Sequence, residues 1–188
     1  EQVTAAVKTV ALIEAKIEVQ YTFWKDLEKA LKDKNYVIEN LFNQQYTRNS
    51  VSNFYRKSKN NKWYGMSFKI LNLDSKKMLY LTVEIYGSVY WGFRIIENED
   101  VTRDFKEFDS LREKFKEMLS ITGLKCYDDE KTNWIGYLKF NNDLDFRGFN
   151  NQDIFNLVND ELRKEIIQNC VSDIDKGTKV FLEKIKDL

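Results

Sequence analysis

Two carboxylates, Asp74 and Glu84, bound the stretch "DSKKMLYLTVE", in which a turn leads into a strand. Acids at that spacing are what a magnesium-dependent nuclease of the PD-(D/E)XK type uses to hold its metal. Such a site also needs a lysine two residues after the second acid, to activate water or stabilise charge on the phosphate. Here that position is Tyr86. The expected state of Glu84 is therefore a surface ion pair with a strand neighbour such as Lys69 or Arg94. Cleavage by Asp74 and Glu84 with magnesium is the alternative.

Other reactive side chains are scarce. The chain has no histidine, which removes the Ser-His and Cys-His nucleophile pairs, imidazole metal sites and the usual general base at neutral pH. Cys126 and Cys170 are far apart and in no CxxC arrangement, so neither a thiolate metal site nor a redox pair is indicated. No glycine-rich phosphate loop or nucleophile elbow is present. No catalytic residue, metal site or cofactor is expected, with magnesium entering only under the nuclease alternative.

Binding chemistry has more to work with. Between Arg48 and Lys77 the bases Arg48, Arg56, Lys57, Lys59, Lys62, Lys69, Lys76 and Lys77 face one acid, Asp74, and Tyr46, Phe54, Tyr55, Trp63 and Tyr64 are interleaved with them. Mixed cations and rings are what a groove for single-stranded DNA or RNA uses. Arg48, Arg56, Lys57, Lys59 and Lys62 are the candidate phosphate contacts, and Trp63 the candidate stacking platform. In three predicted strands an aromatic residue precedes glycine by two positions, at Trp63 to Gly65, Tyr90 to Gly92 and Trp134 to Gly136. Rings packed over glycine gaps are the expected reading, and a flat aromatic floor for a ligand is the competing one.

The elements that position these residues follow from periodicity. Val3, Val10, Ile17, Trp24 and Leu31 recur every seven residues and predict a long amphipathic helix, either docked on the domain's own sheet and last helix or continuing upstream into a further domain. A polar connector leads to "WYGMSFKIL", with Tyr64, Met66, Phe68 and Ile70 on one face of a strand. "LYLTVEIYGSVYWGFRII" is a hairpin in which Gly87 and Ser88 form a two-residue turn and Tyr86 faces Val89. That register sets Leu79, Leu81, Val83 and Ile85 beside Tyr90, Gly92 and Ile96, and Glu84 beside Trp91 and Phe93. A helix capped by Thr102 or Asp104 carries Phe105, Phe108, Leu111, Phe115 and Met118 and ends at Gly123. "TNWIGYLKF" is a strand. A final helix, capped by Asn151 or Asp153, carries Ile154, Leu157, Val158, Leu162 and Ile166 and breaks at Lys176-Gly177-Thr178. The expected architecture is α+β, with an antiparallel sheet of about four or more strands against long N- and C-terminal helices, in one domain over residues 1–188.

The totals bound the rest. With 188 residues, 43% of them hydrophobic, the chain can bury a core. Thirty bases cancel thirty acids, so no global field draws the protein to nucleic acid or to a membrane. No apolar run approaches the roughly 20 residues that span a bilayer, and a cytoplasmic location without membrane contact is expected. The chain opens on Glu1 and is read as a C-terminal fragment of a longer protein.

"FWKDLEKAL", "WYGMSFKI", "LYLTVEI" and "VYWGFRI" together resemble the region that follows the nuclease core in bacterial, Bacteroidetes-type proteins of the PD-(D/E)XK nuclease superfamily, which are linked to defence or mobile elements. The resemblance spans about half the chain and rests on aromatic and aliphatic positions. It implies that the signature acids and lysine belong to an upstream core. The chain would then be a non-catalytic accessory domain that binds or senses. Its partners would be DNA or RNA, or an upstream domain or second copy docking on the first helix. A pure protein-protein interaction module and a divergent nuclease are the other readings.

Overall fold

The computed structural model describes residues 2–39, 47–56, 64–85, 87–97, 108–126 and 134–186, with side chains from residue 7 onward and without those of Tyr55 and Arg56. Along the chain the elements are α1 (Gln2–Lys32), β1 (Ile38–Glu39), α2 (Arg48–Arg56), β2 (Tyr64–Asn72), β3 (Lys77–Ile85), β4 (Val89–Glu97), α3 (Asp109–Thr122), β5 (Trp134–Lys139), α4 (Gln152–Asn156) and α5 (Asp160–Lys184). The strands form an antiparallel meander in the order β1-β2-β3-β4-β5. Two long helices, α1 and α5, pack with it, as the α+β reading anticipates.

One face of the central hairpin is apolar. Leu79, Leu81, Val83 and Ile85 stand opposite Ile95, Phe93, Trp91 and Val89, and all eight are buried. This is the face the helices cover. The Phe93 ring lies 4.5 Å from that of Phe181 on α5, and Trp24 of α1 meets Tyr64 of β2 edge-on at 5.4 Å. At Gly136 the Phe115 ring of α3 occupies the space a side chain would take.

The hairpin register differs from the sequence reading by one residue. Val89 pairs with Ile85, not with the residue after it. The cause lies outside the hairpin: Ser88 pairs with Asp145, and the Val89 N–H donates to the Leu144 carbonyl at 3.0 Å. Because side chains alternate, a one-residue slip moves every β4 side chain to the other face. Trp91 and Phe93 therefore go under the helices, and Tyr90, Gly92 and Arg94 join Glu84.

The helices also depart from expectation in places. The connector contains α2, begun by Thr47 and Ser50, each of whose hydroxyls accepts the other's backbone N–H, and anchored by buried Val51 and Phe54. The strand β1 was not anticipated either. α3 starts after Phe108 and ends at Gly123 with φ 69, while Thr102, Asp104 and Phe105 lie outside the described residues. The final helix breaks at residues 157–159 instead of at Gly177. Asn151 caps α4 through the Ile154 N–H, and Asn159 starts α5 afresh by accepting from Glu161 and Leu162. α5 then runs unbroken through Gly177, where an added Cβ would lie 2.5 Å from the Trp91 ring.

α1 is divided by its surroundings. From Ile17 onward its stripe is in the core, with Phe23, Trp24, Leu27 and Leu31 at 0% exposure. Before Ile17 the helix goes on but the packing does not. Val7 is 62% exposed and Val10 59%.

Candidate functional site

Glu84 sits one residue before the end of β3, on the sheet face away from the Leu81 and Val83 side, and it is 5% exposed. Both carboxylate oxygens are engaged. Arg94 Nη1 donates to Oε1 at 2.8 Å and Tyr90 Oη donates to Oε2 at 2.8 Å. Small residues make this possible: Thr82 and Gly92 stand opposite each other between the Glu84–Tyr90 and Tyr80–Arg94 pairs, leaving room for the long Arg94 side chain. The Arg94 guanidinium in turn stacks over Trp134, 4.8 Å from the ring centroid. Tyr90, Trp134 and Tyr137 lie 5.5 to 5.7 Å apart, each against the other two. Burial, reinforced by the negative charge of Glu84, pushes the Tyr90 hydroxyl far above its ordinary pKa, so it acts as a fixed donor. The expected ion pair of Glu84 with Arg94 is thus present, but buried, because the register slip brings Arg94 to Glu84's face and away from the solvent side.

Asp74 is elsewhere. It occupies the β2–β3 turn, where its Oδ1 accepts from the N–H groups of Lys76 and Lys77 at 2.7 Å each, and these donors hold its carboxyl below the usual carboxylate range. Lys77 and Glu84 are seven strand steps apart, about 23 Å at the usual rise. The structure does not bring Asp74 and Glu84 together, and one magnesium ion cannot bridge that span. Among the described residues no group of three or more acids, cysteines or histidines is placed to hold a metal.

Of the candidate nucleic-acid contacts, Arg48 is committed to other work. Its guanidinium bonds Glu14 at 2.7 Å and Glu18 at 2.9 Å, tying α2 to α1. The Arg56 side chain, Lys57, Lys59, Lys62 and Trp63 lie outside the described residues. Lys77 reaches Asp74 at 3.9 Å and the Phe108 ring at 5.4 Å. Of the three strand motifs, the two described, at Gly92 and Gly136, are built into packing. Tyr90 and Trp134 belong to the ring cluster, Gly92 faces the crowded backbone of β5, and Gly136 lies under Phe115. An open groove of about 530 Å3 beside the C-terminal end of α1 is lined by Ala30 and Val171 as well as by Asp33, Lys34, Asp175 and Lys179, and its Asp175 takes Tyr36 at 3.1 Å and Lys179 at 3.3 Å.

The uncovered apolar surface is a different kind of site. The first half of α1 forms an arm bearing Val7, Val10, Leu12 and Ile13, all exposed. A second patch, a shoulder of Phe155, Val158 and Leu162, sits where α4 gives way to α5. Phe149 joins the two, with Lys16 of the arm 5.1 Å above its ring and Phe155 6.4 Å from it. Periodicity assigned Val158 and Leu162 to the core stripe of one continuous helix. The break at residues 157–159 keeps Leu157 buried and leaves Val158 at 66% exposure. The signal that could have warned of this was Asn159 followed by Asp160 and Glu161, a helix start in the middle of the run.

The fold and site define an α+β domain with a five-stranded antiparallel meander, a buried charge pair on one sheet face and a bare apolar arm. Compared with family models, with characterised proteins and with solved structures, the chain matches none of them. No helix among the described residues is long and apolar enough to cross a membrane.

Proposed function

We propose that this chain is a non-catalytic binding domain that docks on another polypeptide through the first half of α1. The observation that carries this reading is the split along one helix: its apolar stripe passes from full burial at Trp24 and Leu27 to more than half exposure at Val7 and Val10. Aliphatic residues scattered singly over a surface are ordinary. Here Val10 and Ile13 continue the line of the core stripe, Val7 and Leu12 flank it on either side, and Phe149 links the arm to a second apolar patch, a grouping of the kind that marks an interaction site. A non-catalytic role is supported by Glu84, whose two oxygens are already bonded, and by Asp74, which stands too far off to assist it. The resemblance to the region following a nuclease core supports the same accessory role.

Site-specific photocrosslinking tests the reading. A photoreactive residue replacing Val10, in the cells that make the protein, is expected to form covalent adducts with a polypeptide, and the same residue replacing Lys179 is expected to form none. Equal yields at the two positions, or no adduct at Val10, would overturn it.

A further inference from the structure

We infer that the polypeptide received by the arm is a second copy of this chain, with the arm of each protomer lying against the arm and shoulder of the other. The inference rests on the docking reading above and adds the partner. Charge is its first support. Lys8 and Lys16 outnumber Glu14 on the arm, and Arg48 of α2 pairs with Glu14 and with Glu18 just beyond it. On the shoulder the balance reverses, with Asp153, Asp160, Glu161 and Glu165 against Arg163 and Lys164. A basic arm and an acidic shoulder complement each other. Within one chain they do not meet across their apolar faces, because Val10 and Val158 both remain exposed. Two copies related by a two-fold axis satisfy both patches at once, since each contributes one arm and one shoulder.

Area is the second support. Seven large apolar side chains, each about half bare, leave roughly 600 Å2 uncovered per chain, so pairing two copies buries about 1,200 Å2, the lower bound of a specific interface. The arm alone would supply too little. The shoulder brings the total into range, which is why the inference includes both.

Sedimentation velocity on the purified chain, over a dilution series, is the test. The wild type is expected to show a species of twice the 22.5 kDa chain mass that dissociates on dilution. The double substitution Val10→Glu and Ile13→Glu should leave the melting temperature unchanged, because both positions are exposed, and should give a monomer throughout. Val158→Glu should weaken the dimer at least tenfold, and Lys179→Glu should not weaken it. A wild type that stays monomeric at every concentration overturns the inference, as does a dimer indifferent to the arm substitutions. A dimer that survives Val158→Glu removes the shoulder and overturns the exchange. If the chain is monomeric while Val10 still crosslinks a different polypeptide, self-pairing fails and the docking reading stands; if both fail, neither survives.

Discussion

The two faces of the sheet are buried to almost the same depth by opposite means. Toward the helices, Leu81, Val83, Trp91 and Phe93 exclude water by shape alone. On the other face Ser67 and Thr82 share a hydrogen bond of 3.0 Å, and Glu84 and Arg94 share an ion pair, each with less than a tenth of its surface exposed. Depth of burial therefore says little about what a substitution does. An apolar face tolerates a change that conserves volume, whereas a polar face fails as soon as one of two partners is removed.

The sharpest way to break this comparison is to remove one charge. Glu84→Ala or Arg94→Ala alone is expected to cost about 3 to 5 kcal/mol in urea unfolding, because the remaining charge is left buried without its counterpart. Replacing both, Glu84→Leu with Arg94→Met, should recover most of that loss. If the double variant is as unstable as the two singles summed, the pair does not act as a unit. On the helix side Leu81→Ala should cost about 2 to 4 kcal/mol through lost burial and a cavity. A loss below about 0.5 kcal/mol would place Leu81 at the surface and refute the face assignment.

That assignment could not be read fully from the sequence. The strands themselves were legible, because alternation from Leu79 to Ile96 admits little else. Their register was not. Tyr80 and Ile96 on the polar side are as buried as Leu81, so a slip of one residue exposes no apolar side chain and the pattern does not resist it. The decisive contacts, Ser88 with Asp145 and Val89 with Leu144, come from a segment remote in sequence. The same limit hid the site. Glu84 was noticed for its type, but its partners Arg94 and Tyr90 follow only once the register is known. On α1 the stripe is unbroken from Val10 to Leu31, so nothing local announces where packing stops.

Smaller effects sharpen the contrast further. Gly177→Ala would press a methyl against the Trp91 ring, which is fully buried and cannot swing away, and should cost about 1 to 3 kcal/mol by thermal unfolding. Trp91→Phe in the same chain should relieve part of that penalty. Alkaline titration separates interior from surface hydroxyls. Burial pushes Tyr64, and likewise Tyr36, up to about 12, above the unfolded value near 10. The folded state then holds more protons than the unfolded state in this interval. Stability from these tyrosines is full below about pH 10 and is lost as pH rises through about 12. Tyr64→Phe should flatten that alkaline decline, as followed by tyrosinate absorbance and circular dichroism together. An unchanged decline would assign it elsewhere.

The side-by-side placement of α1 and α5 bears on the order in which the chain folds. Asp26 and Arg163, 137 residues apart, meet at 2.8 Å, whereas the sheet pairs only strands that are neighbours in sequence. Closing a long loop costs more entropy than closing a hairpin, so the meander should form first and the seam between the two helices last. Leu27→Ala in that seam is accordingly expected to speed unfolding with little change in the folding rate, and Val83→Ala in the central hairpin to slow folding. Stopped-flow kinetics in which Leu27→Ala slows folding as much as Val83→Ala would place the seam in the nucleus.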